Sequence, residues 1–226
     1  MRSIVYDFGG HFFGVDFILG LSIDLVGDFL NRAKLIVLKA IKHSESDLLV
    51  QTLSATGDRL HFLAKGALKS KKRFGGGVLE PTHYLDVLYK EGKSSSDSEP
   101  LHILLEARVI RDFSGLREDY DRLNMALSFL SLVSRLTRSG SVGAKEIFDL
   151  LGHGLSACEG DCNPETLSIQ FRAKLLFSQG VLEPSSDMAV LIRTSLKSSS
   201  DIQLSKAQRK TLDHHLHLAT EEMLHL

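Results

Sequence analysis

The sequence predicts an α+β protein, an N-terminal five-stranded barrel of the OB-fold type followed by an α-helical domain. Three observations carry that prediction. Five short runs rich in apolar and β-branched residues fall within about 80 residues after Ala33, the pattern of a small Greek-key barrel. After Gly115 the apolar period lengthens from two residues to between three and four, so helices replace strands. Between the third and fourth runs, Lys65, Lys69, Lys71, Lys72 and Arg73 crowd against Gly75-Gly76-Gly77, which marks a loop. The expected organisation is 1–32 as an N-terminal extension, 33–113 as the barrel and 114–226 as the helical domain. An SH3-like barrel satisfies the same strand pattern.

The first strand reads from Lys34-Leu35-Ile36-Val37-Leu38-Lys39, ending at the polar turn His43-Ser44-Glu45-Ser46. A second runs from Asp47 to Leu53, and Thr56-Gly57-Asp58 turns the chain into a third. In that third strand Leu60, Phe62 and Ala64 share one face while Arg59, His61 and Lys65 share the other, the alternation of a half-buried strand. His83 to Lys90 is the fourth. The tract Ser94-Ser95-Ser96-Asp97-Ser98 connects it to a fifth in which Leu101, Ile103, Leu105, Ala107 and Val109 alternate.

In the second half, Leu116, Tyr120, Leu123, Leu127 and Leu130 recur at helical spacing. Lys145 to Cys158 and Glu165 to Gln179 are further helices, the second stopped at Gly180. A last helix carries Leu212, Leu216, Ala219, Met223 and Leu226 in one inward stripe. On its opposite arc lie His214, His217, Glu221 and His225, which read as a solvated face and not a metal site.

Composition narrows the function. The 226 residues have a formal net charge of -1, so attraction for an anion must come from local segregation. Residues 33–112 hold 13 Lys+Arg against 10 Asp+Glu, a surplus of three, whereas 113–226 hold 12 against 14. The apolar stretch Phe12 to Leu19 is interrupted by Asp16 and followed by Asp24 and Asp28. That fits neither a membrane span nor a secretory signal, and the segment reads as an extension outside the fold or an upstream start. Two cysteines, Cys158 and Cys162, are too few for a disulfide framework and point to thiols in a reducing cytoplasm.

Catalytic signatures are missing: Gly66-Ala67-Leu68-Lys69-Ser70 lacks the glycine that a phosphate-cradling P-loop places before its lysine. No nucleophile elbow, zincin motif or dinucleotide glycine run occurs either, so binding is expected and catalysis is not. Cys158-Glu159-Gly160-Asp161-Cys162 cannot supply four thiolates for zinc, and no cofactor is expected. What remains is the basic loop. Cations without an acid among them repel one another unless a polyanion neutralises them, which makes nucleic acid the first partner to consider. Phe74, Tyr84 and Tyr89 are the aromatic candidates for base stacking; their bland alternative is core packing.

Taken in order, several pieces resemble the bacterial DNA repair and recombination mediator family RecO. They are Ile36-Val37-Leu38-Lys39 through His43-Ser44-Glu45-Ser46-Asp47-Leu48-Leu49, then Thr56-Gly57, and Ala64-Lys65-Gly66-Ala67. Lys69-Ser70-Lys71-Lys72-Arg73-Phe74-Gly75-Gly76 into Leu79-Glu80-Pro81 comes next, and Phe113-Ser114-Gly115-Leu116-Arg117-Glu118-Asp119 opens the helical part. The resemblance implies a non-enzymatic protein of the RecF pathway, cytoplasmic and associated with the nucleoid. It implies binding of single- and double-stranded DNA, strand annealing, and engagement of the tail of single-strand-binding protein. With RecR, such proteins help load RecA. DNA contact is then expected at Lys65, Lys69, Lys71, Lys72 and Arg73, with Lys39 and Arg59 as further candidates. Many relatives carry a four-cysteine zinc module after the position of Pro184, whereas 185–204 contains no cysteine. A protein-interaction scaffold with a solvated basic edge is the main rival, and a nuclease the third.

Overall fold

A computed structural model describes residues 30–92, 99–136, 144–182 and 186–225. Five strands, β1 (Leu30–Lys42), β2 (Leu48–Ser54), β3 (Arg59–Ala64), β4 (Tyr84–Lys90) and β5 (Leu101–Arg111), close into a barrel in the order β1-β2-β3-β5-β4. All neighbours are antiparallel except β3 and β5, as an OB-type barrel requires. The connecting tract Ser94 to Ser98 and residues 1–29 lie outside the described residues.

Two strands differ from expectation. β1 begins at Leu30, since Leu30, Asn31 and Arg32 pair with Lys90, Tyr89 and Leu88, so the barrel starts three residues before the expected boundary. Its ladder with β2 shifts between Val37 and Lys39. The extra residue of such a bulge reverses the facing of the residues beyond it, and Leu38 is buried against the helices while Lys39 is exposed. β5 shifts as well, where Leu88 pairs with Glu106 but Tyr89 with Leu104. Leu104 and His102 are therefore buried, and Leu101, Ile103 and Leu105 lie on the opposite, outer face. Only Ala107 and Val109 of the expected five pack on the barrel core.

The barrel core is built from Leu35, Val37, Val50, Phe62, Ala64, Leu85, Val87 and Leu104, each at most 5% exposed. His102 sits among them, its ring 5.6 Å from Phe62 and 5.2 Å from Tyr89, and its Nδ1 accepts the Gly92 N–H at 3.2 Å. Burial, more than any neighbouring charge, lowers its pKa below 6.5; Glu91 raises it and His61 lowers it. A histidine whose folded-state pKa lies below its unfolded value stabilises fully above about pH 6.5 and loses that contribution as pH falls through the folded value, because the unfolded chain binds the extra proton. Thermal melting across pH 7.5 to 5 should show a falling midpoint, and His102→Gln, although less stable throughout, should flatten that acid limb. An unchanged slope in the variant would assign the limb to His61, whose pKa burial also lowers.

The helical domain comprises α1 (Tyr120–Leu136), α2 (Ala144–Cys158), α3 (Pro164–Ser178), α4 (Ser186–Arg193) and α5 (Lys206–His225). Asn163 caps α3 by accepting the Thr166 N–H at 3.0 Å, and Gly180, at φ 70°, ends it as expected. The stripe expected on the first helix is rotated: α1 starts only at Tyr120, after a short 3₁₀ turn over Ser114–Glu118 and an extended Asp119. Its buried residues are Met125, Ala126, Phe129, Leu130, Val133 and Leu136, while Tyr120 is 80% exposed and Leu127 40%. On α5, Leu212, Leu216 and Thr220 are buried and Ala219 and Met223 partly so; His214 and His217 are exposed, and Leu226 lies outside the described residues. One apolar cluster joins the domains, because Ile36, Leu38 and Leu53 on the barrel wall pack with Phe113, Leu116 and the helices.

Candidate nucleic-acid interface

The loop between β3 and β4 is a built structure. Ala67, Phe74 and Leu79, 5–6% exposed, anchor it in the barrel core. Gly75 passes so close to the Lys71 carbonyl that a Cβ would collide with it, and Gly76 and Gly77 take positive φ of 68° and 75°, a conformation that favours glycine. The triple glycine folds the chain back so that Phe74 inserts while the cations stay outside.

At the incoming end, the Asp47 carboxylate in the β1–β2 turn accepts the Gly66 N–H at 2.8 Å and the Ser46 hydroxyl at 3.0 Å. The Gly66 N–H foremost, then Ser46, holds this carboxyl below its usual 3.8. The Leu68 N–H donates to the Ser46 carbonyl at 2.9 Å. At the outgoing end, Arg117 donates to Glu80 at 2.9 Å, to the Asp112 carbonyl at 3.1 Å and to His83 Nε2 at 3.2 Å. Since arginine only donates, His83 carries its proton on Nδ1, facing the Val78 carbonyl at 3.0 Å.

Lys65, Lys69, Lys71, Lys72 and Arg73 are all exposed, and none forms an ion pair among the described residues. All five expected residues are thus exposed along or beside the one β3–β4 loop. Arg73 is partly committed: its guanidinium donates to the Lys65 carbonyl at 3.2 Å and lies 5.3 Å from the Phe74 ring centre. Lys39 is exposed on the outer barrel wall, opposite Gln51. Arg59 is engaged elsewhere. It donates to the Ser134 carbonyl at the end of α1 and to Glu99, both at 3.0 Å, with 23% of its side chain exposed, and so ties the barrel to the helical domain.

The aromatic candidates prove to be packing residues. Phe74 is 5% exposed, Tyr89 meets Phe62 edge-on at 5.2 Å, and Tyr84 meets Phe148 of α2 at 5.6 Å. Sequence reasoning misses Asp47 and Arg117 as loop supports because their partners are distant along the chain; the position of Asp47 after a turn serine is the only local signal. Cys158 is buried, which pushes its thiol up to about 12, and burial raises Cys162 as well. No group of three metal-ligating side chains is assembled among the described residues. Within the same residues no helix is long and apolar enough to cross a membrane.

Strand order, closure and an appended helical domain define an OB-barrel protein with a cation-rich β3–β4 loop. Residues 30–104 match the family described as recombination protein O N terminal. The chain is 32% identical over 149 residues to the DNA repair protein RecO of Maridesulfovibrio salexigens, covering 65% of this chain and 57% of that protein. It is 31% identical over 160 residues to that of Syntrophus aciditrophicus, covering 71% and 59%. Against that of Anaeromyxobacter dehalogenans it is 36% identical over 132 residues, covering 58% and 50%. Over these residues the chain is similar to proteins of the RecO family, and the matches span between half and three fifths of the relatives' length.

Proposed function

We propose that this protein is a non-enzymatic DNA repair and recombination mediator that binds DNA through the β3–β4 loop. The observation that carries the reading is five exposed cations, none in an ion pair among the described residues, on a loop pinned to the barrel at both ends. Such cations contact phosphate, which fixes position on DNA without reading sequence. Pinning matters because less loop entropy is then lost when the strand binds. Single- and double-stranded DNA both present phosphates, so the loop serves both, and neutralising two strands at once favours annealing. With RecR the protein helps load RecA onto DNA coated with single-strand-binding protein, whose tail it engages. These partner steps rest on the similarity to the RecO family.

Fluorescence anisotropy of a labelled single-stranded oligonucleotide across a salt series tests the reading. Affinity should fall linearly on a log–log plot, with a slope of about -0.7 per phosphate contacted, so five contacts give roughly -3.5. Absent binding, or binding indifferent to salt, would favour the protein-interaction scaffold instead.

A further inference from the structure

The outer wall of the barrel carries two rows of side chains that neither core absorbs. Register places Lys39 opposite Gln51, Gln51 opposite His61 and His61 opposite Leu101. Two residues along each strand, on the same face, Ile41 pairs with Leu49, Leu49 with Leu63 and Leu63 with Ile103. Ile41 and Leu101 are 39% and 41% exposed, and Leu49, Leu63 and Ile103 are half-buried. None of the five belongs to the barrel core or to the interdomain core. The bulges at Leu38 and Leu105 create the patch by turning this part of β1 and β5 outward.

The charges around the rows are selective. Lys39 stands in the first row, and Lys65 continues the outward series of His61 and Leu63 into the basic loop. Neither row contains a carboxylate. Two acids adjoin the rows, and both are engaged: Glu99 is held by Arg59 and His61 at 3.0 and 2.7 Å, and Asp47, two residues before Leu49, accepts the Gly66 N–H at 2.8 Å. An apolar strip across four strands, with Lys39 and Lys65 beside it and the adjoining carboxylates already engaged, suits a ligand with flat apolar faces on an anionic backbone.

We propose that the Ile41–Leu49–Leu63–Ile103 strip, with Leu101, is where the unpaired bases of single-stranded nucleic acid lie while Lys39 and Lys65 take the flanking phosphates. This rests on the DNA-binding reading above and deepens it. Aromatic stacking platforms are the usual device on single-strand binders, but Phe62, Phe74, Tyr84 and Tyr89 are packed against other side chains here. An aliphatic strip contacts any base face, so it recognises strandedness and not sequence. A duplex, whose base faces are stacked away, gains nothing from it.

The test compares an ordinary single-stranded oligonucleotide with one of equal length built of abasic residues, and with a duplex, by anisotropy across a salt series. Wild-type protein should bind the ordinary strand about tenfold tighter than the abasic one, the lower end of what contacts with one or two bases provide. Ile41→Gln/Leu101→Gln, at two well-exposed positions, should abolish that preference while its salt slope and duplex affinity stay unchanged. Salt-sensitive binding without any preference in the wild type overturns the strip and leaves the loop standing. So does a double variant that keeps the preference, which would return this face to a protein partner. Wild-type protein that binds neither strand overturns both readings.

Discussion

Replacing Lys69, Lys71, Lys72 and Arg73 together with alanine should lower single-strand affinity by up to roughly 600-fold at 0.1 M salt. Each phosphate neutralised on a single strand releases about 0.7 of a counterion, a factor of about five at that concentration, and four such factors multiply. The salt slope should become shallower by about 2.8 at the same time. That coupled change separates a loss of phosphate contacts from a loss of fold, which would lower affinity through the folded fraction and leave the slope of the remaining protein alone. Arg73 has two roles, since it also holds the Lys65 carbonyl and covers Phe74. The triple variant that retains it isolates charge: roughly 100-fold is expected from Lys69, Lys71 and Lys72 alone. A triple variant that binds like wild type beside a quadruple variant that does not would mean the loop acts through its geometry.

This loop is legible in the sequence, and much around it is not, because of the range of the interactions involved. Cations, glycines and the apolar anchor Phe74 all lie within about a dozen residues of one another, and a triple glycine flanked by five cations signals a loop wherever it occurs. β3 is legible for the same reason, its inward residues Leu60, Phe62 and Ala64 alternating without interruption. Bulges break that logic. In β5, Leu101, Ile103 and Leu105 carry the alternation of an inward face, yet the face is set by the pairing with β4, which shifts between Leu88 and Tyr89. No local signal marks the shift, because Leu104 and Leu105 are the same residue type. Arg59 misleads for a different reason. A cation alternating with His61 on a polar face looks solvated, and its partners Glu99 and Ser134 lie 40 and 75 residues away.

The helices show the same division. α2 and α3 end where Cys158 and Gly180 indicate, while the stripe of α1 is displaced because the helix starts after the extended Asp119 and not at Leu116. α4 leaves no trace in the pattern: eight residues make barely two turns, too short for a periodicity to register. What fixes it is the fully buried Gln170 of α3, whose amide donates to the carbonyls of Leu191 and Thr194 at 3.2 and 2.8 Å. A glutamine inside an otherwise apolar helix face carries no sign of which carbonyls it will satisfy.

Phe171→Ala should cost about 3–5 kcal/mol, the range for deleting a fully buried aromatic ring. Phe171 is 0% exposed, and its ring stacks on Phe129 of α1 at 3.9 Å with an interplanar angle of 5°. From the third side α2 approaches so closely that a Cβ at Gly154 would lie 2.8 Å from the ring. Helices held this rigidly on three sides cannot collapse into the vacated space, which places the cost in the upper part of that range. For a chain of this length it corresponds to a melting shift on the order of 10 °C. The consequence for DNA is the sharper expectation. Phe171 belongs to the cluster of the helices, whereas the loop anchors Ala67, Phe74 and Leu79 belong to the barrel core, so below its melting point the variant should keep the wild-type salt slope and affinity. Its heat-induced loss of binding should move down with the melting midpoint. If DNA affinity fell at low temperature while the protein remained folded, the helical domain would hold part of the DNA surface itself, and the loop would be only one of two contacts.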